Sequence, residues 1–239
     1  MKRIICIMLA AAAVAFAASE ASAQMGKKEY INAGWQFNGT VGNDFVQSAQ
    51  GYGAYMEGGY YLTPMFAIHK SGHYGGIVGR VFSNRKEYYQ LVKVAKAFGA
   101  DFIKIMISGL IDFSQYGVLT EEGLEPELIR EMISIAHGEG LAVMAHCNGA
   151  RTMEAAACAG VDSIEHGAYS DEQALRCMAE NGVIWTPTVS PIGNLKGGGR
   201  FDDEITEKIT GHHLEMIRRF AELGGHIALG SDAGAWRVP

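Results

Sequence analysis

The chain has 239 residues, 48% hydrophobic and 19% charged, which suits an ordinary domain with a buried core and argues against wholesale disorder. Its 20 Lys and Arg against 26 Asp and Glu leave a net charge of -6 with no basic run, which argues against a nucleic-acid groove. The four cysteines, Cys6, Cys147, Cys158 and Cys177, form no CxxC pair, which argues against a zinc ribbon or a dense disulfide framework.

Lys2 and Arg3 precede an apolar run over residues 4–18 and the small-residue site Ala21-Ser22-Ala23. That order is the pattern of a secretory signal peptide, and the run is shorter than the about 20 residues of a membrane-spanning helix. Residues 1–23 are therefore expected to direct export to the periplasm or outer membrane; without a working signal the chain would stay in the cytoplasm. Residues 24–69 are expected to be β-rich or poorly ordered. YINAGWQF at 30–37 and YGAYMEGGYYLTPMFAI at 52–68 are aromatic and glycine-rich, almost uncharged, and lack helical periodicity. They resemble the opening strands of small bacterial outer-membrane β-barrel proteins, so membrane association is expected only through this segment. A single-fold alternative makes 44–58 a poor helix and 63–68 a barrel strand; Gly51, Gly53, Gly58 and Gly59 weigh against that helix.

From about residue 70 the texture changes. Helices are expected at 87–98, closed by Gly99, and at 126–137, with Pro126 in the first turn. Further helices are expected at 152–159, at 171–180 capped by Ser170, and at 203–223. Between them, short apolar strands are expected at 101–107, 141–145, 162–165, 183–188 and 226–230. Helix, glycine, strand, repeated, is a parallel βα array, either doubly wound or a (β/α) barrel.

Three of those strands end alike. LAVMA runs into His146, DSIE into His166 and IALGS into Asp232, each followed by a small-residue loop. The C-terminal end of a parallel strand is where such folds place their active sites. A fourth residue, Lys104, sits among Phe102, Ile103, Ile105 and Met106, where an ammonium is costly to bury. A lowered pKa would make it a Schiff-base nucleophile. Addition of carbon dioxide would instead make it a carbamate able to bridge two cations, and imidazole and carboxylate oxygen are ligands that zinc accepts. Taken singly, a strand-end histidine is more often a structural hydrogen-bonding residue, a lysine snorkels, and an aspartate caps or turns. The order Lys, His, His, Asp, one per strand, is hard to obtain from packing alone. Among the rest, His73 in GHYGG and Tyr116 in the long loop after 101–107 are candidates to touch substrate, while His69 and His226 show no site context.

These segments together resemble the amidohydrolase superfamily, in its imidazolonepropionase-like and Xaa-Pro dipeptidase-like branch. The carriers are SGHYGG at 71–76, GADFIKIMISG at 99–109, VMAHCNGA at 143–150, GVDSIEHG at 160–167 and LGSDAGA at 229–235. The resemblance spans roughly residues 70–239 and implies an α/β fold, a partial (β/α)8 barrel of about strands 4–8. It also implies a carboxylated Lys104 bridging divalent metals, with zinc the expected ion, His146 and His166 as ligands, and Asp232 as both ligand and general base. The family's first-strand His-x-His is missing from the chain, and Pro239 follows soon after Asp232. A truncated or chimeric amidohydrolase is thus expected, holding at most one metal, with feeble or absent turnover. Its substrates would be small C–N compounds such as dipeptides, N-acyl amino acids or cyclic amides. Two rival readings remain open: a non-catalytic, envelope-associated fragment, and a lyase working through a Lys104 Schiff base. The sequence assigns no oligomeric state.

Overall fold

A computed structural model describes residues 29–39, 50–60, 66–76, 79–233 and 235–238. The expected signal peptide, residues 1–23, lies outside them. The chain divides into two compact units, Met1–Thr63 and Pro64–Pro239. In the first, β1 (Glu29–Gly39) and β2 (Gln50–Tyr60) run antiparallel, in register from Glu29 opposite Tyr60 to Gly39 opposite Gln50. Aromatic and β-branched residues favour that extended backbone. Residues 50–58, which the single-fold alternative makes helical, are strand.

The second unit is built on a parallel sheet. Its strands are β3 (Phe66–Lys70), β4 (Arg80–Phe82), β5 (Phe102–Met106), β6 (Ala142–Gly149), β7 (Ser163–Tyr169), β8 (Ile184–Thr186) and β9 (His226–Ile227). The order across the sheet is β4-β3-β5-β6-β7-β8-β9, and every neighbouring pair is parallel. From β5 to β9, neighbours in the sheet are neighbours in sequence. A doubly wound sheet would reverse direction at its centre, so this progression is that of a (β/α) barrel. The outer strands β4 and β9 are not paired with each other, and the fold is a truncated TIM-type α/β domain.

The crossovers carry α1 (Arg85–Ala97), α2 (Pro126–Gly138), α3 (Ala150–Cys158), α4 (Glu172–Glu180), the short α5 (Ser190–Gly193) and α6 (Asp203–Glu222). Their starts have local causes. The Asn84 side chain accepts from the Glu87 N–H at 3.1 Å, while Glu87 Oε2 accepts from the Ser83 N–H at 2.7 Å, a reciprocal cap. The cap of α4 is Asp171, accepting from the Ala174 N–H at 2.9 Å, rather than the expected Ser170. Residues 66–69, assigned by texture to the leading segment, belong with Lys70 to β3 of the parallel sheet, as the single-fold alternative expects for 66–68. The reason is tertiary: Ile68 lies opposite Ile105 in register and is fully buried.

The two faces of the sheet differ. Ile103, Ile105, Ile107, Val143, Ala145 and Ile164 join the core with Val92, Ile129 and Met153 of the helices. The alternate residues, Lys104, Met144, His146, Ser163 and Glu165, take the opposite, inner face, because strand side chains alternate with period two. On the outside, Cys158 at the end of α3 is disulfide-bonded to Cys177 of α4 across a Cα–Cα distance of 6.3 Å, while Cys147 is free and buried.

Candidate active site

Register lines the inner face up in rows. Ala67, Lys104, Met144 and Ser163 stand side by side on β3, β5, β6 and β7. One step nearer the C-terminal ends, His69, Met106, His146, Glu165 and Thr186 form the next row. His69, which shows no site context in the sequence, is therefore a buried inner-face residue, only 6% exposed. It packs so closely on the loop after β3 that a Cβ on Gly75 would meet its Cβ at 2.5 Å.

Lys104 is 8% exposed and forms an ion pair with Glu165, whose other oxygen, Oε1, accepts from the Ser163 hydroxyl at 2.7 Å. The costly buried ammonium thus has a carboxylate partner, and the partner has a second hydrogen bond, which such a pair needs to offset desolvation. Glu165 is a site residue that the sequence reading passed over, although it stands immediately before His166. Alternation alone could have found it, since it shares the phase of Ser163 on the inner face.

His166 lies opposite Cys147, a core residue on the helix side, so simple alternation would point its ring away from His146. Its φ of 70° breaks the pleat, and Gly167 follows at 73°. For a residue with a Cβ this costs about 1–2 kcal/mol. The His166 carbonyl accepts from the Trp185 indole N–H at 3.0 Å and from His213 Nε2 at 2.9 Å. His166 Nδ1 bonds the Thr188 hydroxyl at 2.7 Å. With the backbone so held, the rings of His146 and His166 meet edge to face, 4.7 Å between centroids. Thr188 and Asp232 also adopt left-handed backbone, at 44° and 55°, so three residues, His166 within β7, Thr188 just after β8 and Asp232 in the loop beyond β9, are strained. Such strain gathers at functional sites.

Burial pushes the His146 pKa down to about 4, against the opposing hydrogen bond to the Gly109 carbonyl, and the charge of Lys104 lowers it further. Burial and then the charge of His146 hold His166 well below the ordinary range. Both are neutral imidazoles at neutral pH. The Tyr74 ring stands 4.8 Å from the His146 ring, and the Tyr74 pKa is raised by burial and by the Asp232 carboxylate. Asp232 is thus on the same side of the molecule. It is exposed, and among the described residues its carboxylate makes no hydrogen bond or ion pair. His73 faces Glu121, Nδ1 to Oε2 at 3.3 Å, and Glu121 also accepts from the Tyr74 N–H at 2.7 Å. Tyr116 belongs to another cluster, with Tyr169 at 5.7 Å, His212 at 6.5 Å and the Lys208 ammonium 6.0 Å above its ring.

A divalent cation would find only part of a donor set here. His146 binds through Nε2, to Gly109 at 3.3 Å, and His166 through Nδ1, so each neutral ring keeps one nitrogen outside those bonds. That suits the two-histidine half of a metal site. Lys104 paired as an ammonium offers no lone pair, and among the described residues no three His, Cys, Asp or Glu side chains form a metal-holding group.

The sheet is a sequential parallel array with His146 and His166 on two neighbouring strands, and comparison narrows the class. The model of the amidohydrolase family matches residues 39–239, and the chain belongs to that family. It is similar to ochratoxinase of Aspergillus niger, 26% identical over 174 residues, which cover 68% of this chain and 35% of that protein. Among solved structures it resembles a Xaa-Pro dipeptidase with methionine bound in its active site. That match has a TM-score of 0.59 and 27% identity over 74% of this chain and 48% of the other. The crystal structure of the Aspergillus niger ochratoxinase shares the fold, with a TM-score of 0.60 and 24% identity over 70% of this chain and 45% of the other. The chain thus spans about a third to a half of the length of these relatives.

Proposed function

We propose that the protein hydrolyses C–N bonds of small substrates, dipeptides, N-acyl amino acids or cyclic amides, with the help of a divalent cation, zinc being the expected ion. The observation that carries this reading is the meeting of two neutral imidazoles, the buried His146 and the half-buried His166, beside the Lys104–Glu165 pair on the inner face of the sheet. His146 and His166 would hold the cation, with Lys104, once carboxylated, and Asp232 as further ligands. When bound, the cation would supply a Lewis acid for the amide carbonyl and lower the pKa of a water. Asp232 then takes the water's proton at a carboxylate oxygen and returns it to the leaving nitrogen. Its freedom from internal partners suits that traffic. His73 and Tyr116, on the loops after β3 and β5, would be the residues that meet substrate. Arg200 has its guanidinium over the rings of Phe201 and Trp236, at 5.0 and 5.2 Å, and has no carboxylate partner among the described residues.

Elemental analysis of metal-loaded protein, with dipeptide and N-acyl amino acid turnover, tests the reading. We expect one equivalent of metal or less and weak turnover, abolished by His146→Ala. Two tightly held equivalents would overturn the expected stoichiometry. No metal and no turnover would favour a non-catalytic, envelope-associated fragment. The signal-like pattern of residues 1–23 favours export, and the Cys158–Cys177 bond suits an oxidising compartment. Recovery of the chain in the periplasmic or outer-membrane fraction tests that part.

A further inference from the structure

We propose that His213, together with Trp185, is a positioning residue: their N–H groups fix the His166 carbonyl and so turn the His166 imidazole from the helix side of the sheet to the inner face. The inference rests on the reading of His166 as a site residue. His213 is the second of an adjacent histidine pair on α6 and has no exposed surface. A carbonyl oxygen only accepts, so His213 Nε2, 2.9 Å away, carries the hydrogen. Among the described residues its buried Nδ1 has no hydrogen-bond partner, so the polar contact the side chain makes with them is the one with His166. Burial holds the His213 pKa down at about 4, so the ring remains neutral.

The Trp185 indole supplies the second hydrogen at 3.0 Å, and its ring packs 5.7 Å from His213 and 5.5 Å from Phe220, both of α6. The two donors thus come from one packed block behind β7. They converge on the one carbonyl whose orientation accompanies φ of 70° at His166 and 73° at Gly167. Gly167 is itself constrained by this block, since a Cβ there would meet Trp185 Nε1 at 2.7 Å. In front of β7, the polar bond of the His166 ring among the described residues is to the Thr188 hydroxyl, also at a left-handed residue. The back of the sheet thereby sets the ring direction at the front. Remove the donors, and β7 can relax to its ordinary pleat, which carries the imidazole toward the phase of Cys147.

The test is the ring-to-ring nuclear Overhauser effect between His146 and His166 in the full, metal-free chain, labelled at histidine. The wild type should show the cross-peak that a 4.7 Å centroid separation requires. His213→Gln, whose amide can still donate, should keep it. His213→Leu, which fills the space without a donor, should lose it while the circular dichroism stays that of the wild type. Where the leucine variant does not fold, Trp185→Phe takes its place, removing one N–H and leaving a ring against Phe220; it should weaken the peak by half or more. A folded leucine or phenylalanine variant with the full cross-peak would overturn the proposal. So would glutamine and leucine variants that lose it alike, since ring shape and not the donor would then matter. The readout needs neither metal nor turnover, so an inactive wild type would count against the hydrolase reading alone.

Discussion

The two faces of the parallel sheet are made from the same strands, one residue out of phase, and they follow opposite rules. On the helix side, Ile103, Ile105, Val143, Ala145 and Ile164 are fully buried and purely apolar. On the inner side, at the same heights, stand Lys104, His146, Ser163 and Glu165, also buried but polar or charged. The first face stabilises by leaving water, roughly 25 cal/mol per Å² of apolar surface. The second must offset the burial of polar groups, and it does so largely in pairs, Lys104 with Glu165, Glu165 with Ser163 and His166 with Thr188, while Asn148 Oδ1 has no hydrogen-bond partner among the described residues. The difference teaches that stability is carried by one face and chemistry by the other, with the strands as a common frame.

The sharpest way to break this comparison is at the ion pair. Glu165→Ala leaves an uncompensated buried ammonium and should cost about 4 kcal/mol, read as a lowered urea midpoint. Lys104→Met combined with Glu165→Leu should recover most of that loss while leaving no site for carbamate or metal. If the double variant is as unstable as the single one, the inner face carries stability after all. On the helix side, Ile105→Ala should cost about 3 kcal/mol through lost burial and a residual cavity, and should leave the His146–His166 ring contact in place. Loss of that contact would show that the faces are not separable.

A third effect is in pH. His146 and His213 titrate near 4 in the folded chain, His166 is also depressed, and an unfolded histidine titrates near 6.5. Between those values the unfolded chain binds more protons, so stability is present above pH 6.5 and falls as pH drops toward 4. Urea midpoints at pH 7 and pH 5 should differ in that direction. An unchanged or higher midpoint at pH 5 would show that these rings are not held neutral.

Local sequence determined much. Apolar runs punctuated by Gly99, Gly140, Gly160 and Gly224 fixed the alternation of helix and strand, because turn glycines and period-two or 3.6-residue patterns act within a few residues. Motifs such as VMAHCNGA and GVDSIEHG were enough to indicate the family, and the strand ends near His146 and His166 lie within a residue or a few of where periodicity places them. Other features depended on residues far apart in the chain. That Phe66–Lys70 joins the sheet was decided by Ile68 meeting Ile105, and that β5 to β9 are laid in order rather than doubly wound was decided by pairing. Glu165 found Lys104 across 61 residues, and His213 found the His166 carbonyl across 47. The ring of His166 reaches the inner face only because its backbone leaves the pleat, held from behind by an indole and an imidazole on other elements. A pattern written in the phase of one strand has no term for a carbonyl held from the next, so only the tertiary structure could decide where that histidine points.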